Sequence, residues 1–219
     1  HRSDVLAALI REYTSVAVAG THGKTTTSSM IGHLLLGAGL DPTIVVGGEV
    51  TSWGGNARMG QSSLLVAEAD ESDGTLAKLA TAIGIVTNIE LDHTDHYRNL
   101  NDVVDIFQTF QQQCQTLIAC WDCEVVRQNL KPQLTYSLTP HSGATYWVTD
   151  VSYGADGTTA TVWERGKPVG QIRLNVLGEH NLSNALAAVA VGRYLGLDFA
   201  DISTVMAQFR GARRRFEKR

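Results

Sequence analysis

The sequence has few of the residues that mark secreted or membrane-spanning proteins. Three of its 219 residues are cysteines, Cys114, Cys120 and Cys123, which are too few and too closely spaced for a disulfide framework. The N-terminus carries no charged-then-apolar signal pattern, and no segment approaches the roughly 20 apolar residues that a membrane span needs. We therefore expect a cytoplasmic protein in a reducing compartment, without a membrane partner.

Proline is also scarce, with 4 residues, while charged residues make up 18% of the chain and hydrophobic residues 43%. This balance excludes a mainly disordered or collagen-like chain. At roughly 150 residues per domain, the length predicts one large domain or one domain with an appendage. The chain begins without Met in a helix-like run and stops in a charged cluster, so we expect one domain of a longer protein.

Positive charge is concentrated at the end of the chain. Six of the 18 basic residues lie in the last ten positions. The rest of the chain has 12 basic and 21 acidic residues. An acidic body does not favour broad electrostatic binding of duplex nucleic acid, which needs many Lys and Arg side chains against phosphates. The sequence therefore predicts no nucleic-acid partner.

Cys120 and Cys123 form a Cys-x-x-Cys pair that follows the apolar stretch 116–119. Neither a second such pair nor a nearby pair of histidines completes a metal site. We interpret the two as ordinary cysteines at the end of a strand, and a redox or zinc role is the alternative.

Short apolar runs alternate with helical patterns from residue 15 to about 137, which is typical of βαβ units and a mostly parallel sheet. The predicted helices cover residues 24–38, 99–113, 122–130, 180–195 and 199–208. The predicted strands are Ser15 to Ala19, Thr43 to Val46, Leu64 to Glu68, Ile83 to Asn88, Thr116 to Cys120 and Leu134 to Ser137.

From about residue 144 to 176 apolar and polar residues alternate around Asp156-Gly157 and Gly166-Lys167-Pro168, which are hairpin signals. We therefore predict an α/β fold in which a parallel sheet flanked by helices carries a small antiparallel sheet. In this division, residues 1–140 and 177–219 form the main body and residues 144–176 the small sheet.

A glycine-rich loop lies directly after the first predicted strand and directly before the first long helix. Glycines allow backbone N–H groups to face a polyphosphate, Lys24 can reach the terminal phosphates, and Thr25 can ligate Mg²⁺. The full phosphate-loop pattern has a glycine where this chain has Val18, so the loop is a shortened variant. The loop reads Gly20-Thr21-His22-Gly23-Lys24-Thr25-Thr26, and it predicts a nucleoside triphosphate site.

Acidic and histidine side chains follow two of the predicted strands, where ligands of open α/β sheets collect. Glu68 suits Mg²⁺, which prefers oxygen ligands. His93 is a less usual Mg²⁺ ligand and could equally orient a phosphate or act as a base. For Glu71 and Asp73 a solvated turn or helix cap is an equal alternative, and for His96 the same alternative is favoured over a role in the site.

Two amides, Asn181 and Asn184, lie three residues apart near the start of a predicted helix, hence on one face. They either read an adenine edge or cap the helix. The surrounding sequence, 178–188, is a loop that runs into an alanine-rich helix.

Together these segments resemble the central domain of the Mur ligases, the ATP-dependent amide-forming enzymes of peptidoglycan synthesis. The resemblance covers nearly the whole chain. Its carriers are Gly20 to Thr27, Glu68-Ala69-Asp70-Glu71-Ser72-Asp73, Thr87 to His93, His180 to Ala185, and Arg214-Arg215-Phe216-Glu217.

The resemblance implies a P-loop parallel sheet and a set of site residues. It places Lys24 on the terminal phosphates of ATP, Thr25 and Glu68 on one Mg²⁺, and His93 on a second. It also places Asn181 and Asn184 near adenine and Arg215 on phosphate. In the implied reaction, a substrate carboxylate attacks the γ-phosphate to give an acyl phosphate and ADP, and an amine then displaces phosphate.

Within the family, the motifs look most like the branch that joins L-alanine to UDP-N-acetylmuramate. Several other branches carry a carbamylated lysine downstream of the metal histidine, but no lysine occurs between Lys78 and Lys131. The family's N-terminal UDP-binding domain and its C-terminal domain would flank this chain, so we expect the chain alone not to ligate.

Three alternatives remain open. One is another enzyme that uses the same domain, either a tripeptide-recycling ligase or a ligase of the folylpolyglutamate type. Another is a P-loop nucleotide switch that signals to a partner and forms no amide bond. The weakest is a structural or nucleic-acid-binding protein that uses the terminal arginines.

Overall fold

The computed structural model describes residues 2–50, 52–71, 75–92 and 97–213. The helices are α1 (Arg2–Glu12), α2 (Lys24–Gly37), α3 (Leu100–Gln113), α4 (Glu124–Asn129), α5 (Glu179–Tyr194) and α6 (Phe199–Met206), with a 3-10 turn at Thr75–Lys78. The strands are β1 (Thr14–Ala19), β2 (Thr43–Val50), β3 (Gly55–Arg58), β4 (Leu64–Glu68), β5 (Thr81–Val86), β6 (Cys114–Cys120), β7 (Leu134–Ser137), β8 (Tyr146–Gly154), β9 (Gly157–Glu164), β10 (Lys167–Leu174) and β11 (Ala212–Arg213).

The strands form one continuous sheet in the order β10-β9-β8-β7-β6-β5-β1-β4-β2-β11, with β3 paired to β2. Neighbouring strands from β7 to β2 are parallel, as the alternation of strands and helices predicts. The hairpin strands β8, β9 and β10 are antiparallel to one another, but β8 joins β7 in parallel and so extends the same sheet. The predicted fold class is confirmed.

Both faces of the parallel part of the sheet are covered by helices. Along β1, Val16 and Val18 face a core that contains apolar residues of α2, α5 and α6. Ala17 and Ala19 face the opposite core, which α1, α3 and α4 complete. Because successive strand residues point to opposite faces, a strand buried on both sides has a continuous apolar sequence. Among the described residues, no helix is long and apolar enough to cross a membrane.

Strand β5 ends two residues before the predicted boundary, at Val86 and not at Asn88. The Thr87 N–H still donates to the Ala19 carbonyl of β1, but the Asn88 carbonyl accepts from the Thr21 N–H of the glycine-rich loop, so the ladder ends there. The short strands β3 and β11, which both pair with β2 in antiparallel orientation, were not predicted from the sequence. Neither has the length or the apolar alternation from which a strand is predicted.

The start of α3 depends on a side-chain cap. The Asn99 side chain accepts hydrogen bonds from the backbone N–H groups of Asn101 and Asp102, at 2.8 and 3.2 Å. We expect Asn99→Ala to lower the free energy of unfolding by about 1 kcal/mol, because these amides lose their acceptor. Urea denaturation measures the change. The matched control is Asn101→Ala, at an exposed helical position where alanine is favoured, and an equal loss in both variants would contradict the prediction.

Candidate nucleotide-binding site

The glycine-rich loop connects the buried end of β1 to the first turn of α2, as the sequence predicts. Gly20 has a φ of +137° and Gly23 has a φ of +84°, a backbone region that favours glycine. A Cβ atom at Gly20 would overlap the Thr87 hydroxyl, and one at Gly23 would lie 2.8 Å from Oδ1 of Asn184. Both glycines are therefore required by the backbone and by close neighbours.

The segment that follows β5 holds the first half of the loop in place. The Asn88 side chain accepts a hydrogen bond from the His22 N–H (2.8 Å) and donates one to the His22 carbonyl (3.1 Å). The Thr87 hydroxyl also donates to the His22 carbonyl, at 2.6 Å. The Thr21 N–H donates to the Asn88 carbonyl, and the Thr21 hydroxyl accepts from the Glu90 N–H. The amides of Thr21 and His22 are thus engaged within the protein.

The second half of the loop presents the N-terminus of α2. Gly23 is the N-cap residue, and its carbonyl accepts the hydrogen bond from the Thr27 N–H. The first amides of an α-helix have no acceptor within the helix, and they carry the positive end of its dipole. The amides from Gly23 to Thr26 are therefore the ones suited to an anion such as a phosphate.

Glu68, at the end of β4, lies against Thr25. The Thr25 hydroxyl donates to both Glu68 carboxylate oxygens, at 2.9 and 3.0 Å. The Gly47 N–H donates to one of the same oxygens at 2.6 Å. A Cβ atom at Gly47 would lie 2.6 Å from this carboxylate, so glycine allows β2 to approach it. The structure brings together Thr25 and Glu68, the two residues predicted to share a metal ion.

Lys24 is held by a partner that sequence analysis did not assign. Its ammonium group lies 2.9 and 3.0 Å from the two carboxylate oxygens of Glu71, and it donates to the Gly20 carbonyl at 2.8 Å. The Glu71 side chain is only 2% exposed, so the solvated turn considered for this residue is wrong. Burial raises the pKa of the Glu71 carboxyl, and the neighbouring Lys24 charge opposes that shift.

The start of α5 forms another wall of the site. Asn184 is buried, accepts a hydrogen bond from the Thr27 hydroxyl at 3.0 Å and lies close to Gly23. The Asn181 side chain donates to the Leu177 carbonyl at 2.7 Å. Neither side chain caps α5, because the N-cap residue is Gly178. The capping role considered for the two amides is therefore wrong, and their approach to adenine stays a prediction.

These elements enclose one open cavity of about 1130 Å³ at the carboxyl ends of β1, β4, β5 and β6. Its lining includes the loop residues from Thr21 to Thr26, together with Glu68 and the two amides Asn181 and Asn184. Parallel α/β sheets bind their ligands in this position. Cys120 and Cys123 also line the cavity, which their sequence context did not indicate.

Some predicted site residues lie outside the described part of the chain. These are Asp73, His93, His96 and Arg215. Their assignment to a second metal ion, to a turn or to phosphate stays a prediction.

The fold and the site define a class of protein. A parallel strand, a glycine-rich loop with lysine and threonine, and a helix N-terminus facing a cavity are the parts of a P-loop α/β domain that binds nucleotides. A family profile described as the Mur ligase middle domain matches residues 18–192. The chain therefore belongs to the Mur ligase family, as its motifs predicted.

Curated relatives and solved structures agree with this membership. The UDP-N-acetylmuramate--L-alanine ligase of Nostoc punctiforme is 67% identical over the whole chain, which covers 46% of that protein. The crystal structure of UDP-N-acetylmuramate-alanine ligase from Thermotoga maritima has a TM-score of 0.87 at 30% identity, over 98% of this chain and 49% of that one. The MurF ligase of the same organism, solved with ADP, matches at a TM-score of 0.73 and 20% identity, over 93% and 52%. The chain thus spans about half the length of the relatives it matches.

The buried Lys24–Glu71 pair gives a stability prediction. We expect Glu71→Gln to lower the free energy of unfolding by about 1–3 kcal/mol, because the partly buried ammonium loses its charged partner. Chemical denaturation at neutral pH measures the difference. Glu12→Gln changes the same group at an exposed position of α1 and is the control, expected within about 0.5 kcal/mol of wild type. Equal stability of the Glu71 and Glu12 variants would contradict a structural role for the pair.

Proposed function

We propose that this chain is the ATP-binding domain of a ligase that joins L-alanine to UDP-N-acetylmuramate, giving ADP and phosphate. The observation that carries the proposal is the convergence of Lys24, the N-terminus of α2 and the Thr25–Glu68 pair on one cavity. The names of relatives about two thirds identical to this chain support the choice of substrates. The reaction takes place in the cytoplasm in this proposal.

The chain's own residues divide the work of holding the nucleotide. The amides from Gly23 to Thr26 receive phosphate oxygens, and the Lys24 ammonium neutralises the terminal phosphates. In the structure Glu71 already holds Lys24 at the mouth of the loop, where its side chain is 14% exposed. Asn181 and Asn184 stand on the wall formed by α5 and face the base in this arrangement.

The Thr25–Glu68 pair fits Mg²⁺ chemically. Its donors are one hydroxyl and one carboxylate, both hard oxygen ligands, and Mg²⁺ usually takes one or two carboxylates together with waters and phosphates. Among the described residues, no group of three or more His, Cys, Asp or Glu could hold a metal ion, so a cage made only of such side chains is absent there. A bound Mg²⁺ would neutralise charge on the transferring phosphoryl group. The Gly47 amide keeps Glu68 aimed at Thr25.

The proposed reaction is acyl-phosphate formation followed by amide formation. The carboxylate of UDP-N-acetylmuramate attacks the γ-phosphate, and the amine of L-alanine then displaces phosphate. The domain described here contributes the phosphate end of this site. The segments expected to hold the UDP group and the amino acid flank it in our proposal, because the relatives are about twice as long.

The ATP site can be tested by binding. We expect Lys24→Ala to weaken Mg-ATP binding about 10- to 100-fold, because the phosphates lose a charged hydrogen-bond donor. Calorimetric titration measures the dissociation constant. Lys167→Ala, at the exposed first residue of β10, is the control and should leave the dissociation constant unchanged.

Removing Lys24 also leaves Glu71 buried without its partner, so a folding defect must be separated from a binding defect. The double variant Lys24→Ala, Glu71→Gln removes the unpaired charge and should bind ATP as weakly as the single variant. The unfolding temperature of each variant is compared with that of the wild type. A variant that keeps both the wild-type unfolding temperature and the wild-type affinity for ATP would contradict a phosphate role for Lys24.

The metal and substrate assignments are tested by turnover, in the protein extended to the length of its curated relatives. We expect Glu68→Gln to lower kcat about 100-fold and to raise the Mg²⁺ concentration needed for half-maximal rate, because a charged ligand is lost. Glu12→Gln is the control. Coupled detection of ADP release, with L-alanine and UDP-N-acetylmuramate, gives both values.

The same assay separates the alternatives. ADP release that requires L-alanine supports the proposal. Release that requires a tripeptide or glutamate would assign another Mur-type ligase, and release without any carboxylate substrate would indicate a nucleotide switch.

A further inference from the structure

The Cys-x-x-Cys pair has no part in the proposed ligation, yet both of its thiols line the nucleotide cavity. Cys120 is the last residue of β6, and Cys123 is the N-cap residue of α4. Only Trp121 and Asp122 separate the two cysteines, in the short turn that joins β6 to α4. No metal-binding group of three or more His, Cys, Asp or Glu occurs in the described ranges, which leaves the zinc alternative without further ligands there.

Cys123 contacts the segment that holds the first half of the glycine-rich loop. Its thiol donates to the Ile89 carbonyl, with the sulfur 4.0 Å from the oxygen. Ile89 lies between Asn88 and Glu90, the residues whose hydrogen bonds fix His22 and Thr21. A displacement of the Cys123 sulfur therefore acts on the support of the loop.

Cys120 contacts the element that holds the second half of the loop. Its sulfur lies 3.9 Å from the Ser183 hydroxyl at the start of α5. The next residue, Asn184, binds the Thr27 hydroxyl and lies against Gly23. The two thiols thus touch the two elements between which the phosphate-binding end of the cavity is held.

We propose that Cys120 and Cys123 are a site of thiol–disulfide exchange, and that the disulfide formed between them weakens nucleotide binding in the adjacent loop. The reactant is a small-molecule disulfide. The effect on the nucleotide rests on the proposed function, whereas formation of the bond does not. Cys-x-x-Cys is the spacing used by disulfide oxidoreductases, which form and break such a bond reversibly.

The incoming disulfide is the oxidant and accepts the two electrons that the cysteine pair loses. The Cys123 thiolate attacks one sulfur of that molecule, whose S–S bond breaks and releases a first thiolate. The Cys120 thiolate then attacks the Cys123 sulfur and expels the second small thiol. The two cysteines are oxidised with loss of two protons, and the reagent is reduced to two thiols.

The surroundings of the two sulfurs set this order. Cys123 is half-buried, whereas Cys120 is 7% exposed, so the reagent reaches Cys123 first. Burial also raises the pKa of the Cys120 thiol, which lowers its thiolate fraction. Cys120 therefore reacts second, once the mixed disulfide on Cys123 has formed. Cys114 lies outside the cavity lining, and burial raises the pKa of its thiol to about 12. Cys114 therefore serves as an internal control that should not react.

The test treats the intact protein with oxidised glutathione and follows its mass. We expect the wild type to lose two hydrogen atoms, with the bond mapped to the peptide that contains residues 120–123. Saturating Mg-ATP should slow the reaction, because both thiols line its cavity. The oxidised protein should bind ATP about three- to tenfold more weakly, as expected from the loss of about one net hydrogen bond, and dithiothreitol should restore the affinity.

Three variants decide the assignment. Cys114→Ser should respond as wild type, Cys123→Ser should be inert, and Cys120→Ser should stop at the mixed glutathione disulfide. Retention of both thiols in the wild type, or a disulfide that leaves the ATP dissociation constant unchanged, would overturn the proposal. If the reduced protein does not bind ATP at all, the nucleotide site is contradicted, and the mass alone decides whether the pair exchanges.

Discussion

The hydrogen bonds between the glycine-rich loop and the end of β5 are the constraint on which the site depends. Strands β1 and β5 are parallel neighbours, so their carboxyl ends meet at one edge of the sheet. Asn88 satisfies both backbone groups of His22, and Thr87 adds a second donor to the same carbonyl. A loop with two left-handed glycines has little conformational preference of its own, and these contacts supply it. The amides that remain for a ligand are then those of the first turn of α2.

The charges of the site are arranged around this fixed backbone. Lys24 and Glu71 neutralise each other in a place where a lone carboxylate would be costly to bury. The hydroxyl of Tyr97 donates to the Glu71 carbonyl, so the backbone that carries the carboxylate is fixed as well. Glu68 is held separately, by Thr25 and by the Gly47 amide. The Lys24 ammonium and the Glu68 carboxylate thus face the cavity from positions that are set before any nucleotide arrives.

Local pattern was enough to predict the elements that carry the site. The strand before Gly20, the helix after Gly23 and the carboxylate at the end of β4 follow from apolar runs and from their order along the chain. The roles of Asn88 and Glu71 did not follow, because each depends on a residue more than 40 positions away in sequence. Asn88 follows closely after the apolar residues of β5, so the sequence predicts it as part of that strand. Glu71 follows Asp70 in an acidic stretch, which is equally typical of a solvated turn.

The contacts of the two cysteines also depend on residues that are distant in sequence. Their spacing was visible in the sequence, but β6 lies next to β5, and α5 packs against β6 and β7, only in the folded sheet. That packing brings Cys123 to Ile89 and Cys120 to Ser183. The phosphate end of the cavity is therefore supported from two sides by residues that touch a thiol. Because closely packed side chains transmit a displacement to their neighbours, the proposed disulfide would act on the loop through these two contacts.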